Sequence, residues 1–228
     1  MKINTQYPPF TDFKKNEFKT LEYIQARGFF NSSFQDLATN LYNSYSSYKG
    51  VDFSENSFKI HISFHMVVEK QIHKVILGAN IIGEEGINSY FLALCDEQEQ
   101  QLIRKFHFDY ALPEITTNQR VPIFHLQYGG KSTQEMLDDG LEDTKLDNWL
   151  SIPRLSFAPM NLALLLDMIL CEFTNNDAVQ IHEAPEWRDL IYKNEKFLYE
   201  QYFNNLHSHM NSLRHNKKYL IRDFHYGQ

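Results

Sequence analysis

The stretch FKIHISFHMVV, Phe58 to Val68, sets Phe58, Ile60, Ile62, Phe64 and Met66 at every second position, with Lys59, His61, Ser63 and His65 between them. Alternation of this length marks a half-buried strand, because successive side chains of an extended backbone point to opposite faces. A strand with one apolar face needs neighbouring strands and a covering layer. Four more strand candidates follow, at Lys74–Ile82, Asn88–Leu94, Leu102–Tyr110 and Ile123–Tyr128, most of them separated by short polar or glycine-bearing segments. No helix-length crossover lies between them, so consecutive strands should pair as antiparallel neighbours. The spacing predicts a central antiparallel β-meander of about five strands over roughly 57–128.

On either side the period returns to about 3.6. Asp12 to roughly Ala26 carries Phe13, Phe18, Leu21, Tyr23 and Ile24 and is closed by Gly28. A second helix, with Asn31 or Ser32 as its cap, carries Phe34, Leu37, Leu41, Tyr42 and Tyr45 and stops at Lys49-Gly50. Beyond the sheet, Pro159 suits the first position of a helix that is apolar almost all round from Leu162 to Phe173. That helix is expected to be deeply buried and to cover Phe58–Met66. Pro185 opens a last helix through Trp187, Leu190, Ile191, Phe197, Leu198, Tyr202 and Leu206, roughly 40 Å long. Helices, strands, then helices read as one α+β domain over 1–228. Its parts are N-terminal helices 12–48, the sheet 57–128, an acidic loop 131–150, and C-terminal helices 159–174 and 185–213.

Composition narrows the function classes. Aromatic residues make up 14% of the chain while glycine (9) and proline (7) are scarce, which implies a packed core without long flexible linkers. A formal charge of −7 argues against a generally cationic nucleic-acid-binding surface. The basic sets Lys14, Lys15, Lys19 and Arg27, and Arg214, Lys217, Lys218 and Arg222, are expected on solvated helix faces. Cys95 and Cys171 each sit in an apolar run and are expected to be buried thiols, not a disulfide or a metal pair. MKINTQYPPF lacks the apolar core of a secretion signal, and Leu162–Phe173 is too short to span a bilayer. These features place the chain in the cytoplasm, with no membrane partner.

The polar side of the last two strands is the best candidate for chemistry. His107 and Asp109 share a face opposite Phe106, Phe108 and Tyr110, and His125 and Gln127 share a face opposite Phe124, Leu126 and Tyr128. Paired residues of a regular antiparallel ladder have a constant index sum and point the same way. An even sum opposes His107 to His125, or opposes His107 to Gln127 and Asp109 to His125. Either register gathers the four polar residues on one face, whereas an odd sum sets aromatics against histidines. Two imidazoles and a carboxylate in reach of one another can divide acid and base work, or can hold a divalent metal. They can also be an ordinary polar sheet face. Lys131 and Arg154 are the cations placed to supply positive charge nearby; for Arg154 an ion pair with the acidic stretch Glu135–Asp147 is the alternative.

Other templates fit poorly. HLQYGGKS nearly matches the phosphate-binding loop, but His125 stands where the first glycine belongs, and such loops serve parallel sheets. No G-x-S-x-G, H-E-x-x-H, Cys-x-x-Cys or G-x-G-x-x-G occurs. At the level of architecture, helices followed by an antiparallel sheet with scattered histidines resembles the small metal-independent ribonucleases of bacterial toxins. The resemblance implies phosphodiester (RNA) cleavage by His107, Asp109, His125 and Gln127, with Arg154 or Lys131 holding the phosphate and no cofactor. The competing expectation is a non-catalytic interaction or sensor protein, with a protein partner or a homo-oligomer formed through the long C-terminal helix. A metal-dependent hydrolase is the third.

Overall fold

The computed structural model describes residues 10–30, 32–54, 57–68, 71–82, 87–96, 102–111, 124–128, 154–172 and 175–215. Six strands form one antiparallel meander in chain order: β1 (Phe58–Val68), β2 (Gln71–Ile82), β3 (Ile87–Asp96), β4 (Leu102–Ala111), β5 (Phe124–Tyr128) and β6 (Arg154–Ser156). Helices α1 (Phe10–Arg27) and α2 (Gln35–Tyr48) precede the sheet, and α3 (Leu162–Glu172), α4 (Asn176–Glu183) and α5 (Pro185–His215) follow it. The fold is α+β, with one more strand and one more helix than the periodicity predicts. The extra strand, β6, pairs with β5.

The helices pack on one face of the sheet. Phe58, Ile60, Ile62, Phe64 and Met66 of β1, Val75, Leu77, Ala79 and Ile81 of β2, Tyr90 and Leu92 of β3, and Phe108 and Tyr110 of β4 join a single core with Leu21, Leu37, Leu165 and Trp187 of the helices. Fully burying an aliphatic or aromatic side chain of this size contributes about 1.5–3 kcal/mol, so this face dominates the fold's stability. The cover of β1 differs from expectation. α2 runs along β1, where Asn40 Nδ2 donates to Ser63 O at 2.9 Å and the Tyr48 hydroxyl both accepts from Lys59 N and donates to Lys59 O. α2 thereby satisfies edge-strand backbone groups that an open edge leaves unpaired. α3 instead packs on β3 and between α1, α4 and α5.

Helix starts also differ from the sequence reading. A 3₁₀ turn, Ser32–Phe34, precedes α2, and Phe34 at its N-cap makes no side-chain cap bond. Burial of Phe34 against Phe30 takes the place of a polar cap there. Pro159 lies before α3, not in it; Asn161 Oδ1 accepts from Leu164 N at 3.1 Å and caps the helix that begins at Leu162. Gly28 adopts φ 60° and its N–H returns to Ile24 O at 3.0 Å, closing α1 as a glycine in the left-handed region does. Lys14 is buried, contrary to the solvated face expected of its cluster, whereas Lys15, Lys19 and Arg27 are exposed. Lys217, Lys218 and Arg222 lie outside the described residues, as does the acidic loop 131–150. No described helix is long and apolar enough to cross a membrane.

Two polar groups inside the helical layer carry hydrogen bonds that tie the helices together and to the sheet. Asn194 Oδ1 on α5 accepts from Asn16 Nδ2 of α1 and from Asn161 Nδ2, each at 2.7 Å. Glu17 on α1 is fully buried, accepting from the Tyr90 hydroxyl of β3 at 2.5 Å and from Leu162 N at the start of α3. Burial pushes its pKa up to about 7 even though both donors favour the charged form.

Candidate functional site

Register aligns the far face of the sheet into polar rows. β4 and β5 pair with His107 opposite Gln127 and Asp109 opposite His125, the second of the two even registers. Continuing each pairing sideways gives one row of Asn80, Ser89, Asp109, His125 and Ser156. The adjacent row is His61, Gly78, Phe91, His107, Gln127 and Arg154. A third holds Ile76, Ala93 and Lys105. Thus four of the predicted site residues meet on one face. The two imidazoles are diagonal neighbours and not directly opposed.

Local packing fixes their positions. Gly78 lies beneath the ring of Phe91: a Cβ there would meet Phe91 Cε1 at 2.2 Å and Ile60 O at 2.8 Å. Glycine lets the ring lie flat across β2, and that ring contacts His61 on one side and His107 on the other, with centroids 6.0 and 6.1 Å apart. Phe91 belongs to a small apolar cluster with Ile76, Ala93 and Cys95, so the polar rows rest on an apolar floor.

Asp109 is the centre of the charge pattern. Ser89 Oγ donates to its Oδ1 at 2.6 Å, and its Oδ2 lies 3.5 Å from His125 Nε2. Burial opposes the charge on Asp109, but the bond to His125, the nearby His107 and the Ser89 hydroxyl outweigh it and hold the carboxyl below its ordinary pKa. His107 behaves oppositely. Burial pushes its pKa down to about 4; Asp109 works against that shift, and Lys105 and His125 add to it. His107 is therefore a neutral imidazole near pH 7, and among the described residues its buried Nε2 has no hydrogen-bond partner. The side chain of Asp109 is 23% exposed and that of His125 3%, so solvent reaches the network at the carboxylate.

Two contributors escaped the sequence reading. Ser89 is found only once the β3–β4 register is known, since nothing around it marks it as polar by design. Lys105 is fully buried on the same face, two residues before His107, and its parity was visible in the sequence. Arg154 is brought beside Gln127 by the β5–β6 pairing, but its side chain lies outside the described residues. Lys131 lies outside them altogether. A cavity of about 10 Å³ that borders Asp109 and His125 is lined otherwise by residues of the helix-covered face, among them Phe13, Asn88, Tyr90 and Phe124, and has room for about one water. The roomier hollows, about 290 and 390 Å³, lie among the helices beside Gly28 and Phe29.

The sheet therefore offers a carboxylate oriented by a hydroxyl, an imidazole paired with it, a second imidazole kept uncharged, and a buried lysine. That set can take up a proton at one point and release one at another. Among known proteins, the chain matches no family model, no curated protein and no solved structure at a significant level.

Proposed function

We propose that the far-face network is an acid–base site and that its reaction is metal-independent cleavage of a phosphodiester, with RNA as the substrate class. One observation carries this reading: an uncharged imidazole, His107, stands beside a second imidazole, His125, held by an ionised carboxylate. Groups whose surroundings favour different protonation states are the partners that acid–base catalysis needs. A ribose 2′-hydroxyl gives its proton to His107 while its oxygen attacks the phosphorus. The bond from phosphorus to the 5′-oxygen breaks as protonated His125 gives its proton to that leaving oxygen. Asp109, fixed by Ser89, stabilises the charge on His125; Gln127 flanks His107 across the strand pair. Lys105, two residues before His107 on the same face, is assigned to the phosphate with Arg154 and Lys131. The reading places the protein in the cytoplasm, where such substrates occur.

The test is cleavage of RNA by the purified protein with and without chelator. Cleavage persists with chelator, and the double variant His107→Ala, His125→Ala loses roughly two orders of magnitude or more. No cleavage, or equal cleavage by the double variant, ends the proposal.

A second reading, a non-catalytic interaction protein, draws on α5. This helix of 31 residues exposes Tyr192, Phe203 and Met210 along its length of about 46 Å. It expects a homo-oligomer or a heterologous partner, and a strict monomer in light scattering with no partner in pull-downs counts against it.

A further inference from the structure

Ligand-type side chains converge a second time, at the corner between α3 and α4. Asp167 and Cys171 stand one turn apart on α3, His182 comes from α4, and one ligand atom from each lies within 4.8 Å of the others. Among the described residues this trio meets that distance, and His107, Asp109 and His125 do not. Cys171 is exposed, which corrects the expectation of a buried thiol; Cys95 is the buried one. His182 Nδ1 lies 3.0 Å from Asp167 Oδ1 and 3.5 Å from Cys171 Sγ. Trp187, fully buried at the start of α5, donates its indole N–H to the same Asp167 oxygen at 2.7 Å.

Two chemistries combine these residue types. A nucleophilic thiol needs the imidazole between sulfur and carboxylate, one ring nitrogen facing each. Here Nδ1 faces both, while Nε2 is 3.9 Å from the sulfur. A metal site needs the opposite geometry, three ligand atoms converging on one point. A tetrahedral zinc, with bonds of about 2.3 Å to sulfur and about 2.0 Å to nitrogen, sets those atoms about 3.5 Å apart. That is the separation found between Sγ and Nδ1.

We propose that Asp167, Cys171 and His182 bind one zinc-type divalent cation, with water in the fourth position on the exposed side. On binding, the Cys171 S–H proton is released to solvent, and thiolate plus carboxylate balance the ion's two charges. The Trp187 N–H fixes the carboxylate as outer partners of metal ligands do. The ion ties α3 to α4, a helix of eight residues and too short to hold its shape by its own hydrogen bonds.

The test uses the full chain, stripped with chelator and titrated with Co²⁺ as the probe. One equivalent binds, with thiolate-to-cobalt charge-transfer absorption, and Zn²⁺ displaces it and raises the melting temperature. Cys171→Ser abolishes the absorption, His182→Gln and Asp167→Asn each weaken binding at least about tenfold, and Cys95→Ser leaves it intact. Circular dichroism of the metal-free variants establishes that each is folded. If Cys171→Ser does not fold, alkylating the single thiol of the Cys95→Ser protein takes its place and must abolish the absorption. No charge-transfer band, or one that survives loss or blockage of Cys171, overturns the proposal. The RNA assay reads the sheet face, so either result stands without the other.

Discussion

Glu17, on the helix side of the sheet, and His107, on its far face, are both buried, and burial shifts each towards its neutral form. Glu17, on α1 against the sheet, is pushed up to about 7 by burial, which its two uncharged donors, a phenol and a backbone N–H, offset only in part. His107, on the far face, is pushed down to about 4. Asp109, two residues from His107 and part-exposed, is held below its ordinary pKa because imidazoles and a hydroxyl surround it. The difference is one of partners and of exposure: a fully buried carboxylate with only neutral donors is shifted towards its protonated form, and a part-exposed one beside imidazoles is shifted towards its charged form.

The largest expected effect is on stability against pH. Glu17 has a folded pKa above its unfolded value of 4.5, so its contribution is complete below that value and lost as pH rises towards about 7. His107 has a folded pKa below its ordinary 6.5, so its contribution is present above 6.5 and lost as pH falls towards about 4. Each amounts to about 3 kcal/mol over its window, and between roughly pH 4.5 and 6.5 the two slopes oppose. Glu17→Gln unmasks the His107 term, giving a protein that loses stability on acidification through that window. His107→Gln unmasks the reverse. Urea unfolding at stepped pH reads both, and parallel slopes in the two variants break the comparison.

A smaller effect sharpens the account of the far face. Gly78→Ala places a methyl group where the Phe91 ring and Ile60 O already lie, so unfolding free energy falls by about 2 kcal/mol. Displacement of the ring also shifts the His107 resonances. A neutral Gly78→Ala shows that the ring is free to move and that the site's floor is not rigid. Smaller again, Ser89→Ala removes one hydrogen bond to Asp109 and lowers stability by about 1 kcal/mol.

Much of this was legible in the chain. Alternation in Phe58–Met66 and the strands after it specified both faces of the meander, and even-sum pairing set His107, Asp109, His125 and Gln127 together. β6 was not legible because three residues carry no period, and only their pairing with β5 defines them. α4 was missed between two longer helices, although Asn175, whose Oδ1 accepts from Ala178 N at 2.7 Å, is an N-cap signal. Glu17 drew no reading from the sequence, since its surroundings in KKNEFK are charged and its buried partner Tyr90 is far away in the chain. The corner of Asp167, Cys171 and His182 was not legible because two of its residues lie in the apolar α3 and the third in α4, the helix that the periodicity missed.

The most direct measurement is the titration of the His107 ring by NMR, in the native protein and in Asp109→Asn. The account predicts a ring that stays uncharged down to about pH 4, and that titrates lower still once the neighbouring carboxylate charge is removed. A His107 ring that titrates near 6.5 in both proteins contradicts it.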